Sequence, residues 1–444
     1  MKVLALVDGE HYPEVTRWGI QSARAVGHEV VAALFLGGSE KIRTEGLPDL
    51  GVPVLDGRGD LIEMVGRAVD EIRPEAVLDL SDEPTAGYRE RMEIAAASLV
   101  RGVPYVGPDF RLDPPIWGPK LPAPTLAVIG TGKRTGKTAV AGEVARVAAR
   151  MGLNPVVVAM GRGGPPEPEI AEAGTVGVDA LVKMARGGRH AASDFLEDAV
   201  TTGQTTIGAR RCGGGLAGAP FVTNVIEAAE QAARRGPGIV ILEGSGSAIP
   251  PMPWDAGILV APAGASEEHL AGYLGPFRIL LSDLVVVTMA SGPDSDPQKP
   301  FAFRSHVRRL KREARFVVTD FEPVPLGEVQ GKSVFFATTA PEGVARRQVA
   351  YLQERAGCRV VGWSSRLADR GGLTSDLQGA PEYEVLLTEL KAAAVDVASE
   401  AALARGAGVM FMDNRAASVE GEEPLPGLLE ETIRLARERY ESGT

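Results

Sequence analysis

Residues 125–138 read Thr125-Leu126-Ala127-Val128-Ile129-Gly130-Thr131-Gly132-Lys133-Arg134-Thr135-Gly136-Lys137-Thr138, and the reading of the whole chain grows from them. Thr125 to Ile129 has the length and apolar, β-branched character of a buried strand, and Ala139 to Met151 continues beyond the turn as a helix. A glycine-rich turn between a strand and a helix is where a phosphate cradle belongs. Its glycines let backbone N–H groups converge on phosphate oxygens, and the helix N-terminus adds positive potential. Lys137 can neutralise terminal phosphate charge, and the Thr138 hydroxyl can ligate magnesium. The strict spacing G-x-x-x-x-G-K-[ST] asks for glycine at position 131, where this chain carries Thr131; the leading glycine is Gly130. Gly130, Thr131, Gly132, Lys133, Arg134, Thr135, Gly136, Lys137 and Thr138 are therefore the expected nucleotide contacts.

Outward from this turn, apolar runs of strand length recur at Pro155 to Met160, Gly238 to Leu242, Ile258 to Ala261 and Leu284 to Met289. Each has a polar or glycine-rich exit, and alternation with helical stretches implies a doubly wound parallel sheet over residues 119–325. Upstream, Val3 to Val7, Glu29 to Leu36, Ala76 to Leu80 and Val103 to Val106 read as short strands, with helices near Val15 to Val26 and Gly87 to Leu99. Residues 1–118 are thus expected to form a separate α/β domain. The run Asp113-Pro114-Pro115-Ile116-Trp117-Gly118-Pro119-Lys120-Leu121-Pro122-Ala123-Pro124 is too rich in proline for a helix or central strand and reads as a stiff linker. Residues 326–444 suggest a third α/β stretch, with strands near Ser333 to Ala337, Arg359 to Val361 and Val409 to Met412. Its helices are expected near Glu342 to Ala356, Glu382 to Arg405 and Pro426 to Tyr440.

At roughly 150 residues per domain, a length of 444 agrees with about three domains. The balance of 47 basic against 58 acidic residues gives a net charge of −11, which argues against a global grip on nucleic acid or an anionic membrane. A polyanionic ligand must then meet a local positive pocket. The opening Met1 to Asp8 is too short an apolar run for a secretory segment, and Cys212 and Cys358 lack disulfide or zinc spacing. A reducing cytoplasm is the expected compartment.

Three more groups carry chemistry. Ile239 to Leu242 ends in Glu243-Gly244-Ser245-Gly246, and in a parallel sheet that carboxyl end reaches the same rim as the phosphate turn. Glu243 is thereby expected to hold magnesium with Thr138, or to orient its water; a plain exposed acid is the bland alternative. Gly161-Arg162-Gly163-Gly164 and Gly208-Ala209-Arg210-Arg211-Cys212-Gly213-Gly214-Gly215 place guanidinium forks beside free N–H donors, a pattern suited to phosphate or carboxylate oxygens. Arg162, Arg210 and Arg211, with Arg186 and His190 from Arg186-Gly187-Gly188-Arg189-His190, are the expected acceptor-binding residues. Lys133 and Arg134 are placed to bridge donor and acceptor, so Lys137, Lys133, Arg134 and Glu243 form the expected catalytic set. Asp8-Gly9-Glu10-His11-Tyr12 and Asp79-Leu80-Ser81-Asp82-Glu83 sit at strand ends of the first domain, as metal or hydroxyl contacts or as plain loop residues. The chain lacks N-K-x-D, which favours ATP over GTP.

The turn Gly130 to Thr138 and the acid of Glu243-Gly244-Ser245-Gly246 resemble those of the dethiobiotin synthetase group of P-loop enzymes. With Leu4-Ala5-Leu6-Val7-Asp8-Gly9-Glu10-His11-Tyr12-Pro13 and Arg210-Arg211-Cys212-Gly213-Gly214-Gly215, the whole chain resembles the cyclic 2,3-diphosphoglycerate synthetase family. The resemblance implies an α/β fold: a P-loop NTPase-type doubly wound parallel sheet core, an N-terminal α/β domain and a C-terminal α/β extension. It also implies an ATP-dependent ligase that closes 2,3-diphosphoglycerate into its cyclic phosphoanhydride, releasing ADP and phosphate, with magnesium and potassium as cofactors. A homodimer is the expected assembly, although the residues do not themselves specify it. The residues alone leave open a P-loop ligase or kinase acting on another small anion. They also leave open a nucleotide-driven switch or metallochaperone, although the chain has no cysteine or histidine metal cluster to serve the latter.

Overall fold

The computed structural model describes residues 1–38, 40–41, 46–292, 296 and 298–443. The first sheet takes its strands from residues 2–112: β1 (Lys2–Val7), β2 (Glu29–Phe35), β3 (Val54–Asp56), β4 (Ala76–Asp79), β5 (Tyr105–Val106) and β6 (Arg111–Leu112). Their order is β3-β2-β1-β4-β5-β6, parallel except for the β5–β6 pair. β1 is buried along nearly its whole length, as a central parallel strand covered on both faces must be.

The second sheet is built around β7 (Thr125–Gly130), with β8 (Val156–Gly161), β9 (Glu169–Ala171), β10 (Thr205–Cys212), β11 (Val222–Thr223), β12 (Val240–Glu243), β13 (Ala256–Pro262) and β14 (Leu284–Thr288). The run β10-β8-β12-β7-β13-β14 is parallel throughout, so the carboxyl ends of β7, β8 and β12 share one rim. β15 (Arg315–Pro325) carries this sheet onward. Its first half pairs parallel with β14, while its second half pairs antiparallel with β19 (Gly408–Ser418). Beyond β19 lie β18 (Val385–Glu389), β16 (Ser333–Ala337) and β17 (Arg359–Ser364), all parallel.

One expectation fails here. Residues 382–405 do not form a helix: they contain β18, a π-helical turn at Ala394–Ser399 and a short α-helix at Glu400–Ala404. Val385, Leu386 and Leu387 are buried between β16 and β19, and pairing on both sides outweighs the helical pattern of the surrounding alanines. The closing helix, Leu425–Ser442, packs back on the nucleotide core, with Leu425, Leu428, Leu429 and Ile433 in one apolar cluster with Val140 and Val144.

A second apolar cluster runs from Leu4 and Val65 through Leu99 and Phe277 to Leu242 and Val287, joining the first domain to the core without a break. The helix Tyr88–Leu99 lies against the helix Gly275–Leu280, and the Tyr88 hydroxyl accepts a 2.9 Å hydrogen bond from the Tyr273 N–H. No helix of the described residues is long and apolar enough to cross a membrane.

Candidate active site

The strand β7 ends at Gly130 and the helix Lys137–Arg150 begins seven residues later, so the phosphate turn forms where the sequence placed it. A Cβ at position 130 would lie 2.8 Å from Thr135 Oγ1 and 2.9 Å from Lys137 Cδ. Glycine is needed there because the Lys137 stem crosses the chain at that point, which accounts for the displaced leading glycine. The Lys137 ammonium is buried and donates to the Gly132 carbonyl at 2.8 Å and to Thr135 Oγ1 at 3.3 Å. Arg134 takes a left-handed φ of 60°, and both it and Lys133 are exposed at the lip. Thr288 at the end of β14 donates to the Thr135 carbonyl at 2.7 Å and ties the turn to the sheet. Burial lowers the Lys137 pKa to about 8; the Glu243 and Asp194 carboxylates oppose that fall, and Arg211 and Arg162 add to it.

The Thr138 hydroxyl donates to Glu243 Oε1 at 2.7 Å. Glu243 Oε2 and both carboxylate oxygens of Asp198 are buried with no donor from another residue, and the two carboxyl groups face each other. Two buried carboxylates this close cannot both be ionised cheaply, so each is held above the ordinary carboxylate range. Burial is the first cause for both, with Asp194 adding to the rise at Glu243. A Thr hydroxyl beside a carboxylate oxygen that has no partner is a fit arrangement for magnesium. Among the described residues no three His, Cys, Asp or Glu side chains are arranged to hold a metal ion alone. The fit is therefore to a cation completed by phosphate oxygens and water.

Arg162 and Arg211 converge on Gly246, where a Cβ would meet their Nη2 atoms at 3.1 and 3.2 Å, and where φ is +60°. Arg211 is buried and donates to the Gly213 carbonyl at 2.6 Å and the Ser245 carbonyl at 2.8 Å. Burial and the neighbouring Arg162 push its pKa down, the mark of cations held together ahead of an anion. His190 lines a small cavity with Gly161, Gly163 and Asp194.

The structure does not bring every expected residue to this group. Arg210 faces the other way, its Nε donating to the Gly164 carbonyl at 2.8 Å. Arg186 is exposed and engaged in a bidentate pair with Glu400 at 2.6 and 2.7 Å. Its neighbour Arg189 pairs with Glu169. In the first domain, Asp8 accepts from the Glu10, His11 and Asp82 backbones, and Asp79 accepts from Tyr105, Ser81 and Arg91. Both acids shape loops rather than offer free oxygens.

Three family models match the chain: the N-terminal domain of cyclic 2,3-diphosphoglycerate synthetase over residues 2–113, its P-loop domain over 125–319 and its C-terminal domain over 325–415. This chain belongs to the cyclic 2,3-diphosphoglycerate synthetase family. A cyclic 2,3-diphosphoglycerate synthetase from Rubrobacter xylanophilus is 47% identical, the match covering 98% of this chain and 97% of that one. One from Methanothermobacter thermautotrophicus is 42% identical over 93% of this chain and 91% of its own. Among solved structures, LpxK from Aquifex aeolicus in complex with ATP matches with a TM-score of 0.41 and 14% identity, over 72% of this chain and 90% of that one. By its family models and its synthetase relatives, the chain is a synthetase, an enzyme with a P-loop nucleotide-binding core.

Within this synthetase, Asp194 and Asp198 are the residues that sequence reasoning missed. They stand four apart on the helix Asp194–Thr202, on the side that meets the Gly161 and Glu243 strand ends. The spacing was available as a signal, but acids in a helix's first turn are favoured by its dipole in any case.

Proposed function

We propose that this synthetase closes 2,3-diphosphoglycerate into its intramolecular phosphoanhydride, using ATP and releasing ADP and phosphate. One observation carries the reading: Lys137, Arg162 and Arg211 face one spot beside Glu243, and none is paired with a carboxylate among the described residues. In a chain of net charge −11, such a cluster is a place for several phosphates at once.

An oxygen of one acceptor phosphate attacks the γ-phosphorus as the bond from that phosphorus to ADP breaks. An oxygen of the second acceptor phosphate then attacks the phosphorus of the first, and the transferred group leaves as orthophosphate. Lys137 neutralises the γ-phosphoryl oxygens, and Lys133 and Arg134 at the lip offset charge between donor and acceptor. Arg162 and Arg211 hold two mutually repelling phosphates within bonding distance and fix their line of attack. Thr138 and Glu243 would hold magnesium, which when bound disperses the charge on the β- and γ-phosphates. Potassium activation, a homodimer and a cytoplasmic setting complete the proposal, with no residues assigned to them.

Phosphorus NMR of the protein with ATP, magnesium, potassium and 2,3-diphosphoglycerate tests it, with Lys137→Ala as control. New phosphoanhydride resonances formed by the unmutated protein alone are expected. ADP formation unchanged by diphosphoglycerate would overturn the reading.

A further inference from the structure

A cavity of about 930 Å³ lies between the first domain and the nucleotide core. Met92 and Phe110 form one wall and Leu216 and Tyr273 another, while Thr131 brings the phosphate turn to its edge. That volume falls within the range of small-molecule sites. Two polar groups lining it are buried without partners, Thr131 Oγ1 and Arg278 Nε.

Arg278 is only 6% exposed, and its guanidinium is held by carbonyls alone: Ser247 at 2.7 Å, Leu274 at 3.1 Å and Leu216 at 3.4 Å. No carboxylate pairs with it among the described residues. Arginine does not deprotonate in proteins, so this is a fixed buried cation without a counter-ion, an arrangement that folding alone disfavours. The other charges on the cavity do not neutralise it. Arg91 is paired with Asp79, and Glu83 and Asp109 are exposed at the margin.

The position of Arg278 relates it to the reacting groups. Arg211 grips the turn after β12 at the Ser245 carbonyl, and Arg278 grips the same turn at the Ser247 carbonyl. Two residues of chain, at most about 7 Å, separate the points that the two cations hold. His269 stands on the cavity wall with Nε2 3.5 Å from the Cβ position of Gly132, so the cavity reaches the phosphate turn from that side as well.

We propose that this interdomain cavity is the acceptor chamber and that Arg278 is its anion anchor, holding the acceptor's carboxylate while the phosphates at its other end face the phosphate turn. The proposal rests on the synthetase reading above. The first domain then forms one wall of the substrate site, with specificity set by the distance from Arg278 to the reacting phosphates.

Steady-state kinetics on the full chain with ATP, magnesium and 2,3-diphosphoglycerate test it. Arg278→Gln should raise the KM for diphosphoglycerate on the order of 10- to 100-fold, the effect of losing a charged hydrogen-bond partner, with ADP affinity within about twofold of the parent. Arg278→Lys should recover part of that loss. Met92→Trp fills the chamber from the opposite wall and should raise the same KM, which decides the matter if Arg278→Gln does not fold. An acceptor KM unmoved in a folded Arg278→Gln and in Met92→Trp overturns the proposal. So does a loss of ADP affinity with the acceptor KM unmoved, which would give the cavity to the nucleotide. Failure of the synthetase reading shows differently, as no response of the unmutated protein to diphosphoglycerate.

Discussion

Replacing Glu243 by glutamine should stabilise the nucleotide-free protein and remove most of its ATP-driven chemistry. The carboxylate is 3% exposed, takes one hydrogen bond from Thr138 at 2.7 Å and turns its other oxygen to Asp198 without a donor. Burial first, then Asp194, raises its pKa from 4.5 to about 7. At about 1.4 kcal/mol per unit, the ionised carboxylate burdens the fold by at most about 3 kcal/mol at pH 8. The folded-state pKa lies above the unfolded one, so the folded protein binds more protons between the ordinary carboxylate range and about 7. Stability therefore falls as pH rises through that window. Glutamine keeps an acceptor for Thr138, gives Asp198 a donor and carries no charge to lose. At about 2.1 cal/mol/K of unfolding entropy per residue, a 444-residue chain shifts by about 1 °C per kcal/mol, so Glu243→Gln should melt about 3 °C above the parent at pH 8, with the gap closing by pH 5. Calorimetry in EDTA at pH 5, 6.5 and 8 reads this directly. The same preparation should form ADP about 10²- to 10³-fold more slowly with diphosphoglycerate. A variant that melts below the parent at pH 8, or keeps the same gap at pH 5, would refute the buried-acid account.

Other outcomes follow from the same geometry. Gly130→Ala puts a methyl 2.9 Å from Lys137 Cδ, and ADP affinity measured by titration calorimetry should drop at least about tenfold. Because burial holds Lys137 down to about 8, a bound phosphate should restore its charge. ADP binding at pH 8.5 should then take up protons, read as a dependence on buffer ionisation enthalpy that Lys137→Met abolishes. Leu429→Ala empties a fully buried position under the helix Lys137–Arg150 and should lose about 2–5 kcal/mol of unfolding free energy, with KM values unchanged in the folded fraction. Arg186→Ala, which breaks only an exposed pair with Glu400, should leave the acceptor KM within twofold.

The parts of this enzyme that are legible in its sequence are the local ones. β7, the phosphate turn and the following helix are contiguous, so strand pattern, glycines and Lys137 can be read together. Glu243 is legible for a different reason: an acid at the end of an apolar strand must lie on the rim where all parallel strands of that sheet end. The arginines show where such reasoning stops. Arg210 and Arg211 are adjacent on β10, and alternation along a strand sends them to opposite faces, so only Arg211 reaches Ser245. Arg278 gives no signal at all. It lies in a short apolar helix, and its lack of a counter-ion is a property of the packed molecule. The alanine-rich segment after Glu382 misleads because helix propensity is local, whereas the burial of Val385 to Leu387 depends on strands about 50 residues upstream and 25 downstream.

The helix Asp194–Thr202 explains why the C-terminal region cannot be set aside as an appendage. Asp194 and Asp198 face the nucleotide rim, while Glu197 between them reaches Lys391 at 3.0 Å, just beyond β18. Burial works against the Lys391 ammonium, and the carboxylates of Glu197 and Glu389 outweigh it, holding its pKa above the ordinary range. Glu389 is itself fixed by Thr338, Thr339 and Asn414. A chain of polar and charged contacts thus runs from Asn414 and Glu389 through Lys391 to Glu197, on the same helix turn as Asp198, the acid that faces Glu243. β15 makes the connection stiff, since one strand belongs to both halves of the sheet. The spacing of Asp198 from Glu243 is therefore set in part by residues nearly 150 positions beyond Glu243, and the proton affinity of Glu243 is a property of the whole sheet rather than of the phosphate turn alone.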